Sequence, residues 1–128
     1  VGVDFCSQLC RQARKNAALF QRKHPGVSAI EVVESDAAEH EFSGDETVFF
    51  LYNPFNEVVL ARTLKNIAQS VRENPRAIWL IYNTPLHHAT ILQDGQFGCH
   101  EHFEIGGTEF RVYSDFVAAP VEAAEKVI

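Results

Sequence analysis

Thr47-Val48-Phe49-Phe50-Leu51-Tyr52-Asn53-Pro54-Phe55 is the most apolar run in the chain, and its reading decides the fold. Residues 47–52 show no polar alternation, the habit of a strand covered on both faces of a parallel sheet. Pro54 has a fixed φ and no N–H, so the strand stops there. It also pushes Asn53 towards an extended backbone, which leaves the Asn53 amide projecting from the strand end.

Reading downstream, Asn56 caps a helix whose apolar stripe is Leu60, Leu64, Ile67, Ala68 and Val71. Glu73-Asn74-Pro75 closes it. Ala77 to Tyr82 is a second continuous apolar strand, stopped by Asn83-Thr84-Pro85. A short helix follows over 86–93, closed by Asp94-Gly95. Residues 96–105 then alternate, Gly106-Gly107 gives a two-residue turn, and 108–113 alternate back as a hairpin. Residues 115–128, rich in Ala and Val with Pro120, read as a tail or peripheral helix.

Reading upstream, Val1-Gly2-Val3-Asp4-Phe5 is a buried strand ending at an acid. Ser7 is a suitable cap for a helix over 7–23, with Leu9, Ala13, Ala17 and Phe20 on its apolar face. His24-Pro25-Gly26 stops it. Ser28 to Glu34 is a strand, and 35–45 an acidic loop with a Gly-Asp turn. The order β-α-β-loop-β-α-β-α-β-β predicts an α/β fold: a mainly parallel sheet, helices on both faces, and a C-terminal antiparallel hairpin. Ligands in such sheets sit at the carboxyl ends of the strands. Asp4, Asp36, Asn53 and Asn83 lie there.

Composition bounds the function. The 128 residues are 46% hydrophobic with ten Phe, enough for one domain or part of one. A formal net charge of −6 argues against an electrostatic grip on nucleic acid and leaves small-molecule or protein partners. No apolar run approaches the ~20 residues of a membrane span. Three cysteines, Cys6, Cys10 and Cys99, make no disulfide framework and point to a reducing cytoplasm.

Several residue types could carry chemistry. A carboxylate at Asp4 can accept both hydroxyls of a ribose; the plainer reading is an acid stabilised at a helix start. Asp36 can accept from an adenine amino group while the Ala37 N–H reaches a ring nitrogen; otherwise it is a solvated loop acid. At Asn53-Pro54-Phe55, Asn53 can hold an acceptor and Phe55 can wall it; the plainer reading is a strand-ending turn. Cys99-His100-Glu101-His102 places His100 and His102 on one strand face, but no third spaced ligand accompanies them and no metal is expected. Cys6 and Cys10, one helical turn apart, read as small packed thiols. No Gly-x-Ser-x-Gly or P-loop is present.

Together these residues resemble the C-terminal two-thirds of a class I S-adenosylmethionine-dependent methyltransferase, a Rossmann-like fold. Gly2-Val3-Asp4-Phe5 and the helix through Cys10–Asn16 resemble its second strand and helix. Glu34-Ser35-Asp36-Ala37 resembles its adenine turn, and Phe49 to Phe55 its fourth strand and acceptor motif. The antiparallel hairpin suits the last strands of that family. Order and spacing carry the likeness. It implies S-adenosyl-L-methionine as cofactor, held by Asp4, Phe5, Asp36, Ala37 and Asn53. It implies a catalytic Asn53-Pro54-Phe55 that moves a methyl group to N, O or S by direct displacement, and no metal. The family's first strand and glycine-rich loop have no counterpart in these residues, and the second Pro of the amino-methylating motif is Phe55.

The resemblance divides the chain into a partial methyltransferase-like domain over 1–114 and a tail over 115–128. It places the family's first strand between the Val1–Phe5 and Thr47–Tyr52 strands. Two apolar strands would then carry open edges, and the chain alone is expected to be marginally stable. Two other readings stand: a Rossmann-type NAD(P)-dependent oxidoreductase, whose ribose Asp4 would serve equally well, and a non-catalytic relic or binding module.

Overall fold

The computed structural model describes residues 1–52, 55–93 and 95–115. The element order is β1 (Gly2–Asp4), α1 (Ser7–Lys23), β2 (Val32–Glu34), β3 (Val48–Tyr52), α2 (Glu57–Glu73), β4 (Trp79–Asn83), α3 (His88–Leu92), β5 (Phe97–Ile105) and β6 (Thr108–Asp115). This is the order the sequence predicts. The chain forms two compact units, Val1–His40 and Glu41–Ile128.

In the first unit β1 pairs parallel to β2, Val3 opposite Val33 and Asp4 opposite Glu34. The second strand is shorter than expected: 28–31 lie outside it. Helix α1 has the expected span, but its buried positions are Cys10 and Ala17. Leu9 and Phe20, expected on the apolar face, are 57% and 45% exposed, since two short strands offer little surface to cover. Ser7 does not cap the helix. Cys6 holds the cap position, and the Ser7 hydroxyl donates instead to the Glu34 carboxylate.

The second unit holds a four-stranded sheet in the order β3-β4-β6-β5. It is mixed. β3 and β4 are parallel, Leu51 opposite Tyr82, while β6 runs antiparallel to both β4 and β5. A predominantly parallel sheet therefore does not describe this unit, because the hairpin supplies half of its strands. Gly106 and Gly107 make the hairpin turn at φ +56° and +80°, where a side chain would be strained.

Helix α2 follows the sequence pattern closely. Asn56 Oδ1 accepts from the Val59 N–H at 3.0 Å, and Leu60, Leu64, Ile67, Ala68 and Val71 are all buried. Leu60, Leu64, Ile67 and Val71 pack with Leu51, Ile78, Leu80, Tyr82, Ile91, Phe97 and Tyr113 into the core. The loop before β3 is locked by Glu46, whose carboxylate accepts from the Ser43 and Gly44 N–H groups and faces Arg76 at 3.8 Å. Gly44 sits at φ +92°, and a Cβ there would lie 2.7 Å from the Asn74 side chain, so the turn requires glycine.

Among the described residues β1 pairs only with β2, and β3 only with β4. Each has an open edge. On β3, Val48, Phe50 and Tyr52 are 57%, 58% and 69% exposed and no charge interrupts them. Such an edge invites strand pairing between chains. Phe50→Lys is therefore expected to raise the concentration at which the protein self-associates, measured by light scattering. Leu60 is fully buried in the core, so Leu60→Ala should destabilise the larger unit by about 2–5 kcal/mol in urea denaturation.

Candidate functional site

Among the described residues, Asp4, Asp36 and Asn83 fall at or just past strand ends, and each is held by hydrogen bonds. In the first unit Asp4 ends β1. Its Oδ1 accepts from the Cys6 N–H at 2.7 Å, and its carbonyl accepts from the Ser35 N–H at 3.0 Å. The acid thus opens α1 and ties the two strand ends together. A carboxylate offers about four lone-pair sites, and this turn uses one of them. Phe5, next in the chain, is 76% exposed.

Asp36 follows β2 and makes the same kind of turn. Its Oδ1 accepts from the Ala38 N–H at 2.9 Å, and its carbonyl from the Glu39 N–H at 3.0 Å. The Asp36 side chain is exposed, Ala37 half-buried and Ala38 buried. Asp4 and Asp36 therefore stand at the carboxyl ends of two paired parallel strands. Cys10 lies beneath them, its thiol directed at the Asp4 carbonyl at 3.3 Å. Burial, with Asp4 and Glu34 adding to it, pushes that thiol above its ordinary pKa, so Cys10 is a packed thiol and not a nucleophile.

In the second unit Asn53 and Pro54 lie outside the described residues. Phe55 is half-buried against the core. Asn83 ends β4 directly opposite Tyr52 and is buried. Its Oδ1 accepts from the Thr84 hydroxyl at 2.8 Å. Thr84 has φ +52°, the one non-glycine residue with positive φ among those described. A β-branched side chain there is a backbone outlier, and such strain gathers at functional turns. Asn83-Thr84-Pro85 marks a strand end in the sequence, but nothing in it signals the strained φ.

The strand-end loop leads into a polar cluster that the sequence did not reveal. Tyr82 and Tyr113 are fully buried. The Tyr82 hydroxyl accepts from the His87 N–H at 3.4 Å, and His88 Nδ1 meets the Tyr113 hydroxyl at 2.5 Å. Arg111 Nη1 donates to His88 Nε2 at 3.1 Å, and its Nε donates to Glu109 at 3.0 Å. His102 Nε2 reaches the same Glu109 oxygen at 3.0 Å. Burial pushes both tyrosine hydroxyls above their usual pKa, so they stay neutral. The one available signal was His87-His88 directly after a strand-ending turn.

The expected pairing of His100 with His102 does not occur. A bulge between Cys99 and Glu101 shifts the register. His100 packs edge-on against Trp79, whereas His102 pairs with Glu109. The extra residue puts the two imidazoles on opposite faces of the sheet. A cavity of about 510 Å³ opens elsewhere, where Lys65, Gln69 and Arg72 of α2 face Ile91 and Phe97. It contains none of the strand-end residues. Among the described residues no helix is long and apolar enough to cross a membrane.

No protein-family model matches the chain, and no curated protein matches it in sequence. Solved structures do match. A candidate methyltransferase of Escherichia coli, yhhF, aligns over 88% of this chain and 62% of its own, with a TM-score of 0.54 at 15% identity. A candidate methylase of Haemophilus influenzae aligns over 88% and 64%, with a TM-score of 0.53 at 15% identity. A ribosomal protein L11 methylase of Lactobacillus delbrueckii subsp. bulgaricus aligns over 88% and 55%, with a TM-score of 0.55 at 15% identity. The chain thus spans 55% to 64% of the length of these proteins. At this identity the likeness is one of fold, an α/β fold shared with these methyltransferases.

Proposed function

We propose that the chain is the catalytic core, or most of it, of an S-adenosylmethionine-dependent methyltransferase acting on a small-molecule or protein acceptor. The observation that carries this reading is the placement of Asp4 and Asp36 at the carboxyl ends of paired parallel strands, within a fold shared with methyltransferases. The net charge of −6 favours a small molecule or protein over nucleic acid.

The residues fit the cofactor. Asp4 keeps lone pairs beyond the one that holds Cys6, enough to accept the ribose hydroxyls. Phe5, exposed beside it, offers an apolar wall. Asp36 would accept from the adenine amino group, with the Ala37 N–H reaching a ring nitrogen. When bound, S-adenosylmethionine supplies an electrophilic methyl group on its sulfonium. Asn53 would orient the acceptor, and Phe55 would pack on the acceptor. These groups contribute by alignment and proximity.

Calorimetric titration of S-adenosylhomocysteine into the full natural polypeptide containing these residues tests the proposal. Binding at one site per chain is expected. Asp4→Asn keeps an oxygen for the Cys6 N–H but loses the carboxylate. It should weaken binding at least about tenfold, in line with the 1.5–3 kcal/mol of a charged hydrogen bond, with Tm unchanged. Asp4→Ala loses the turn as well and should also lower stability by about 1 kcal/mol. A folded protein that shows no binding heat would sink the methyltransferase reading.

A further inference from the structure

Among the described residues of the larger unit, His88 is fastened on both ring nitrogens to β6, an arrangement with no role assigned so far. We propose that His88 is a pH-operated latch, which fastens the loop after β4 to the hairpin when neutral and releases it when protonated. This inference is independent of methyl transfer.

The hydrogen bonds fix the protonation state. Arg111 has only N–H donors, so His88 Nε2, 3.1 Å from Arg111 Nη1, must accept and carries no proton. The single ring proton then sits on Nδ1 and is donated to the Tyr113 hydroxyl at 2.5 Å. Adding a proton places an N–H against the guanidinium and a second positive charge within hydrogen-bond distance of it. That removes the Arg111 bond and replaces it with repulsion.

Among the described residues the loop has a second tie to the hairpin, from its backbone. The Thr84 N–H donates to the Glu109 carbonyl at 2.9 Å. Loop residues 84 to 87 also include the strained Thr84 and the exposed Leu86. Tension at Thr84 favours release once His88 lets go. The loop borders the end of β3, because Asn83 lies opposite Tyr52. Opening it would therefore alter the edge from which Asn53 follows.

The charged surroundings agree with this direction. From β6, Arg111, Glu109 and Tyr113 surround the imidazole; from β5, His102 and Cys99 stand beside Glu109 and Arg111. From β4, Tyr82 holds the neighbouring His87 N–H, and His87 Nδ1 faces Glu57 of α2 at 4.0 Å. Burial, then Arg111, hold the His88 pKa below the ordinary histidine value, with Glu109 opposing. A group whose folded pKa is depressed stabilises the fold fully above its unfolded value, about 6.5 for histidine. That contribution is lost as pH falls through the lower, folded value.

The test is an imidazole NMR titration of the protein from pH 8 to 4.5, with amide hydrogen exchange read at Thr84 and His87 and corrected for intrinsic rates. His88 is expected to exist as the Nδ1–H tautomer at pH 8 and to titrate below the ordinary histidine range. Between the ordinary histidine value of about 6.5 and that point, exchange at Thr84 and His87 should accelerate by up to about tenfold per pH unit, the linkage of one proton, and level off below it. In His88→Gln, an amide can still accept from Arg111 and donate to Tyr113 but cannot titrate, so the acceleration should vanish. Exchange independent of pH in the natural protein overturns the proposal. So does an acceleration that survives His88→Gln, since it would belong to His87–Glu57 or His102–Glu109. Should His88→Gln not fold, the tautomer and titration point of the natural His88 decide the matter.

Discussion

Two buried hydroxyls govern the larger unit. Tyr82 and Tyr113 lie on the core face of neighbouring antiparallel strands, Tyr113 opposite Leu80 and Arg111 opposite Tyr82, and neither ring touches solvent. Their bulk suits a core built by α2 against the sheet, but their polar tips must be satisfied inside it. The partners come from one short segment: the His87 N–H for Tyr82 and the His88 ring for Tyr113. That requirement places α3 over the sheet end and sets the path of the turn out of β4. It also draws Arg111 and Glu109 of the hairpin into the same chain of hydrogen bonds. A phenylalanine pair would fill the same volume without dictating where the loop goes.

The first unit is organised by a different economy. With only two three-residue strands, it buries little apolar surface and leans on its turns. Asp4 and Asp36 each close a turn with a carboxylate oxygen, and the Asp4 carbonyl receives the Ser35 N–H, so the two turns are physically joined. The same acids that would greet a nucleoside are thus the fasteners of the local backbone. The structural role leaves room for the proposed one, because a carboxylate has more lone pairs than one turn consumes.

What could be read from the chain in advance follows from how local each signal is. Helix α2 was legible in full, since its Asn56 cap and apolar stripe depend on residues three and four apart. The hairpin was legible from Gly106-Gly107. Asp4 and Asp36 were legible as positions, because each follows directly on a short apolar strand, a local pattern. The short β2, the exposed Leu9 and Phe20, and the Cys6 cap were not, because they depend on how much surface two strands provide. The His88 cluster joins residues 23 and 25 apart in sequence, beyond any periodicity. The separation of His100 from His102 depends on a register shift that only the partner strand reveals.

That bulge lets the hairpin absorb a change in length. His100 is the extra residue: Cys99 lies opposite Tyr113 and Glu101 opposite Val112, so the two portions of β5 that flank it are out of phase in sequence yet each keeps its face of the sheet. Removing His100 alone would leave all of these pairs in place as a regular ladder, with Phe97 still opposite Asp115 in the core and His102 still opposite Arg111. Position 100 is therefore a place where a single-codon deletion keeps the register of β5, at the cost of the ring contact with Trp79.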